Sequence, residues 1–184
     1  MIPRGGQTRI LVLAMLVCAR GYGENTAQAP SEYQVKAAFL YNFVKFVEWP
    51  ATPEEQTRPI ELCVLGKDPF RGELQRAVDG KAVSGRSLII RQMSEASAAQ
   101  SCHVLFLTVS EAGRVTDILK TVAAWNILTV SELDRFLDRG GMINFIMQGQ
   151  RVRFEINPAA AVRARLTISS KLLQLGAAAD KRKY

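Results

Sequence analysis

Three short, almost unbroken apolar runs constrain this chain more than any other feature: I-E-L-C-V-L at 60–65, H-V-L-F-L-T at 103–108 and I-L-T-V at 127–130. Runs of this length, rich in β-branched residues, read as strands of a sheet covered on both faces. Between them lie stretches of helical length with start signals, Asp68-Pro69 opening 68–78 and Ser110 opening 110–123. Strands that alternate with helices of about ten residues predict a mostly parallel sheet. Further extended pieces fall at 81–83 and 86–92, and 93–101 reads as one helical turn with loop. Ser131-Glu132 predicts a short helix to 138, and 158–175 reads as one continuous helix. Near the end, Gly149-Gln150 joins M-I-N-F-I-M at 142–147 to V-R-F-E-I at 152–156 as a tight hairpin, which adds an antiparallel edge. The expected fold is α/β, a single-domain three-layer αβα sandwich with a mostly parallel central sheet and an antiparallel C-terminal hairpin.

The stretch E-Y-Q-V-K-A-A-F-L-Y-N-F-V-K-F-V-E-W-P at 32–50 predicts an unusually greasy helix. Tyr33, Ala37, Leu40, Val44 and Val47 form one stripe, and Phe39, Phe43 and Phe46 a second beside it. Together they widen the apolar arc to about half the circumference, so the helix is mostly interior. Ser31 is placed to cap its start, and Trp49-Pro50 closes it because proline disfavours helical geometry at the preceding residue. Lys36 projects between the two stripes, so its ammonium must reach solvent or meet a carboxylate. An arc this wide also has room for a second subunit, so a homodimer is a possible partner state.

The first residues change the context. Arg4 and Arg9 precede the apolar run I-L-V-L-A-M-L-V-C-A at 10–19, and 21–29 is small and polar. That order of regions is that of a cleavable secretory signal peptide, and the run is too short to span a bilayer comfortably. The expected division is a signal peptide at 1–29, cleaved after Ala19 or Ala29, and one exported globular domain at 30–184. Its removal takes away Arg4, Arg9, Arg20 and Glu24 and lowers the formal charge from +7 to +5. A basic domain of this kind suits an acidic partner or an anionic surface, while solubility alone also accounts for it. With Cys18 in the leader, Cys63 and Cys102 remain. In an oxidising compartment such a pair is expected as a disulfide; two buried thiols are the alternative.

The residues assemble no catalytic constellation, metal site or cofactor motif. The single histidine, His103, starts an apolar strand, and Cys102 beside it points to the opposite face, which is poor geometry for one metal. Leu65-Gly66-Lys67 lacks the rest of a phosphate loop, and no G-x-S-x-G elbow occurs. Ser169-Ser170-Lys171 falls within the predicted last helix, where capping or solvent contact is the simpler role. Export also argues against nucleic acid as a partner.

The same segments carry a resemblance. Y-Q-V-K-A-A-F-L-Y-N-F-V-K-F-V-E-W-P at 33–50, L-C-V-L-G-K-D-P-F at 62–70, G-R-S-L at 85–88, C-H-V-L-F-L at 102–107, I-L-T-V-S-E at 127–132, G-G-M-I-N-F at 140–145, R-V-R-F-E-I-N at 151–157 and L-T-I-S-S-K-L-L at 166–173 resemble the YfiR family, in order and at compatible spacings. The resemblance implies a periplasmic repressor rather than an enzyme. Such a protein binds the periplasmic portion of an inner-membrane diguanylate cyclase and lowers cyclic di-GMP and biofilm formation. An OmpA/Pal-like outer-membrane lipoprotein sequesters it, and redox conditions act through its disulfides. Cys63 and Cys102 match a family cysteine pair. A second pair found in some members falls here on Leu137 and Asn144, so a redox switch at that turn does not carry over. The family's partner surface maps to Ile143, Phe145 and Glu155. Ordinary sheet packing is the competing role for the first two, and an ion pair with Lys36 is the competing role for Glu155. A periplasmic sensor domain for a small aromatic or nucleotide-like ligand is the alternative function; a deep apolar pocket with convergent polar groups would favour it.

Overall fold

The computed structural model describes residues 29–50, 53 and 55–180; residues 1–28 of the expected leader and the basic tail lie outside them. The chain opens with α1 (Glu32–Phe46), followed by β1 (Val47–Glu48), β2 (Ile60–Leu65), α2 (Glu73–Val78), β3 (Ala82–Val83) and β4 (Arg86–Met93). Then come β5 (Val104–Leu107), α3 (Val115–Val122), β6 (Leu128–Ser131), β7 (Ile143–Gln148) and β8 (Arg151–Ile156), and finally α4 (Pro158–Arg163), β9 (Thr167–Ile168) and α5 (Ser170–Asp180).

Seven strands form one sheet in the order β3-β4-β2-β5-β6-β7-β8. The five strands from β4 to β7 in that order are mutually parallel, and the hairpin supplies β8 as an antiparallel edge. The opposite edge is antiparallel as well, because the two-residue β3 folds back on β4, a pairing too short for the sequence pattern to announce. A separate two-stranded ribbon joins β1 to β9. The expected αβα sandwich is thus the observed fold.

Strand parity divides the core, since alternate residues face opposite sides of a sheet. Leu62, Val64, Val104, Phe106, Val130, Phe145 and Phe154 meet α1 and its neighbours. Cys63, Leu65, Leu105 and Leu107 meet α3 through Val115, Ile118, Leu119 and Val122. At α1 the expected start is present: Ser31 Oγ accepts from the Gln34 amide while the Gln34 side chain accepts from the Ser31 amide, a reciprocal capping box.

Five expected helices are shorter or missing. α1 stops at Phe46, where Val47 and Glu48 leave as β1, and the helix expected at 110–123 begins only at Val115, after a separate turn at Val109–Glu111. Residues 68–72 form turns, because the Asp68 carboxylate accepts from the Phe70 amide and Arg71 and Gly72 both adopt positive φ, so α2 begins only at Glu73. Residues 134–140 run as successive turns in place of the helix expected up to 138, with Arg135 at φ 56°. Ser131 Oγ, expected to cap a helix there, instead donates to the Leu107 carbonyl at 2.8 Å and accepts from the Leu133 amide. The last element breaks at Arg165, also at positive φ, and Thr167 and Ile168 pair with Glu48 and Val47. At 167–168 the local helical pattern yields to a strand pairing with a distant segment, which satisfies the same backbone groups.

Candidate functional site

Lys36 is 2% exposed, and its ammonium meets the carboxylates of Glu32, one helical turn earlier, and Glu132, just beyond β6. Its expected pairing with Glu155 is therefore corrected: Glu155 is on β8 at the sheet edge, whereas α1 brings Lys36 over the carboxyl end of β6. Glu132 also accepts from the Tyr33 hydroxyl at 3.1 Å, and the Lys36 ammonium is 4.7 Å from the centre of the Tyr33 ring. A buried cation needs both charge partners and hydrogen bonds, and this cluster supplies them. Burial, followed by the charge of Glu132, pushes the Tyr33 hydroxyl up to about 12.

On the opposite face, Cys63 and Cys102 form a disulfide with Cα atoms 6.0 Å apart. It ties β2 to the segment that enters β5, a sequence separation of 39 residues. Glu61 lies close enough to the two sulfurs to suggest a metal set. The sulfurs are bonded to each other, however, and the Glu61 carboxylate is already held by Arg91 at 2.7 Å and Ser101 at 2.8 Å. Burial alone would raise the Glu61 pKa, but those two hydrogen bonds and the Arg91 charge outweigh it and lower it overall. His103 is structural: Nδ1 faces the Glu61 amide at 3.2 Å, Nε2 lies 2.7 Å from the Arg86 guanidinium, and its carbonyl accepts from the Trp49 indole. The Ser169 hydroxyl accepts from the Leu172 amide, so it caps α5.

Of the three residues expected at a partner surface, Ile143 and Phe145 are core, 0% and 2% exposed. Phe145 stacks on Phe43 with centroids 5.7 Å apart, so its side chain faces α1 and not a partner. That contact also engages the arc of α1 left open for a second subunit, since Phe39 and Phe43 pack on Phe145 and Phe154 of the same chain. Glu155 is half-buried on the edge strand β8. Of the two positions to which the resemblance assigned a second cysteine pair, Leu137 lies in the turns before β7 and Asn144 is buried within β7.

The sequence reading missed a crevice at the carboxyl ends of β2 and β5. A cleft of about 690 Å³ there is lined by Tyr33, Lys67, Pro69, Phe70, Arg71 and Val109 among others. A groove of about 400 Å³ with Gln92, Glu111 and Arg114 adjoins it, and Lys67 and Ser110 line both. The signal available was the pair of short loops after the two clearest strands, one opening with Gly66 and the other with Thr108-Val109-Ser110.

Fold and side chains together define a class: an open, mostly parallel αβα domain held by one covalent clamp and one buried ionic clamp. Over residues 33–177 the sequence matches the YfiR/HmsC-like family, and the chain belongs to it. That family is periplasmic and regulatory rather than catalytic, acting in the diguanylate cyclase pathway. The chain is also similar to a conserved domain protein from Vibrio cholerae O1 biovar eltor str. N16961, with a TM-score of 0.55 and 10% identity over 79% of this chain. It spans 59% of that protein's length, and the likeness is one of fold. Among the described residues no helix is long and apolar enough to cross a membrane.

Proposed function

We propose that this protein binds the periplasmic portion of an inner-membrane diguanylate cyclase and holds its cytoplasmic catalytic domain inactive, lowering cyclic di-GMP and biofilm formation. An OmpA/Pal-like outer-membrane lipoprotein relieves the repression by sequestering it. The observation that supports this reading is the family match across nearly the whole described domain. Physically, a repressor shifts the cyclase only by the difference between its affinities for the inactive and active states, and a sequestrator acts by mass action on the free repressor. The disulfide contributes by keeping the binding-competent fold populated.

In this proposal the partner surface centres on Glu155, on the edge strand β8, while Ile143 and Phe145 anchor the neighbouring strand β7 in the core. Deleting the gene in a host that retains the cyclase is expected to raise cyclic di-GMP; an unchanged level sinks the repressor reading. Glu155→Lys is expected to weaken binding to the cyclase's periplasmic domain with the circular dichroism spectrum unchanged. Loss of folding instead would assign Glu155 to the structure.

A further inference from the structure

The parallel strands lie in the spatial order β4-β2-β5-β6-β7, so the chain order reverses between β2 and β5. In open sheets of this kind the loops leaving the two strands at the reversal turn to opposite faces and leave a crevice at their carboxyl ends, the usual ligand position. The cleft and groove described above occupy that position, formed by the loops at 66–72 and 108–114.

Its floor is rigid and preformed. Gly66 sits at φ +96°, and a Cβ there would lie 2.3 Å from Thr108 Oγ1 and 2.4 Å from Ser110 Oγ, so the two loops are in contact. The Lys67 amide donates to Ser110 Oγ at 3.0 Å, and the hydroxyls of Thr108 and Ser110 are 2.8 Å apart. Its walls are apolar: Pro69, the edge of Phe70, the Tyr33 ring and Val109, which is 58% exposed although strongly hydrophobic.

The charges around it are unequal in their commitments. Glu73 is paired with Arg76 at 2.6 Å and Glu111 with Arg114 at 2.6 Å, whereas Asp68 keeps its charge while accepting from the Phe70 amide at 2.8 Å, so the loop's two cations outnumber its one unpaired carboxylate. The cations Lys67 and Arg71 have no carboxylate partner among the described residues. A cleft of about 690 Å³ falls within the range of small-molecule sites, which combine apolar walls with a few polar anchors.

We propose that this crevice binds a small amphipathic organic anion, its apolar body against Pro69, Val109 and Tyr33 and its carboxylate or sulfonate between Lys67 and Arg71. The site lies at the carboxyl end of the sheet, and the proposal holds or fails independently of cyclase repression.

The test uses protein purified from the periplasm, with 8-anilinonaphthalene-1-sulfonate as an anionic probe and N-phenyl-1-naphthylamine as its neutral counterpart. Fluorescence titration is expected to give one sulfonate probe per chain, with amide shifts in nuclear magnetic resonance spectra at 66–71 and 109–110. The neutral probe is expected to bind more weakly. Lys67→Gln combined with Arg71→Gln is expected to weaken the sulfonate about tenfold, the loss of a charge-assisted contact, and to abolish its advantage over the neutral probe. Should that variant fold poorly, Val109→Asp, which sets a carboxylate against the anion, is expected to give the same loss. No one-to-one binding, shifts confined to other surfaces, or equal affinity in a folded variant overturns the proposal.

Discussion

The two faces of the sheet are packed with different matter. Between α1 and the sheet, Phe43 of the helix packs with Phe106, Phe145 and Phe154, and Phe39 and Tyr33 of the same helix stand at their margin. Between α3 and the sheet the core is mostly aliphatic, with Ile118 and Val122 of the helix against Leu105 and Leu107, one fully buried ring, Phe136, and Trp125 at the margin. Each face has its own clamp, and the chemistry of the clamp follows that of its surroundings. Aromatic faces attract a cation, and the Tyr33 ring and its hydroxyl help compensate the ammonium of Lys36 and the carboxylate of Glu132. Aliphatic side chains offer nothing of the kind, and there the cross-link is the apolar Cys63–Cys102 disulfide.

The sharpest way to break this comparison is Lys36→Ala. It leaves the largely buried Glu132 uncompensated and is expected to cost about 3–5 kcal/mol in urea denaturation. Replacing both partners with apolar residues, Lys36→Met with Glu132→Leu, is expected to recover most of that loss. A cost below about 1 kcal/mol for Lys36→Ala would reduce the ionic clamp to an incidental contact. Next in size is the covalent clamp: Cys63→Ala with Cys102→Ala is expected to cost about 2–4 kcal/mol, mainly through a freer unfolded chain. Because the clamps sit on opposite faces, the two losses should add; strong non-additivity would show that the faces are coupled. The smallest effect concerns Tyr33→Phe, which removes the hydroxyl's bond to Glu132 and is expected to cost about 1 kcal/mol. The folded pKa of Tyr33, about 12, lies above its ordinary value of 10.0. Its contribution is therefore complete below pH 10.0 and is lost as pH rises from there through about 12. Tyr33→Phe should flatten that part of the stability profile; an unchanged alkaline slope would place its origin elsewhere.

Much of this was legible from neighbouring residues. Ser31 announced the start of α1, the apolar runs marked β2, β5 and β6, and Gly149-Gln150 marked the hairpin. The greasy interior of α1 could be drawn on a helical wheel, and Lys36 stood out there as a charge in need of a carboxylate. Which carboxylate could not be read, because Glu132 is 96 residues away and reaches Lys36 only through the order of strands in the sheet. Ile143 and Phe145 were misplaced for a related reason: a strand residue looks alike whether its face meets a helix or a partner. The continuous helix expected at 158–175 failed because Thr167 and Ile168 find partners at the end of α1, a pairing that no window of local sequence contains.

By itself the sequence determined the alternation of strands and helices, the cysteine pair and the presence of one charge within an apolar arc. These are properties of consecutive residues, set by backbone periodicity and side-chain transfer. Tertiary structure alone decided the strand order, the partners of Lys36, the division between core and surface on β7 and β8, and the crevice between β2 and β5. Each of these depends on which distant segments meet, and that choice rests on the packing of the whole sheet rather than on any stretch of it.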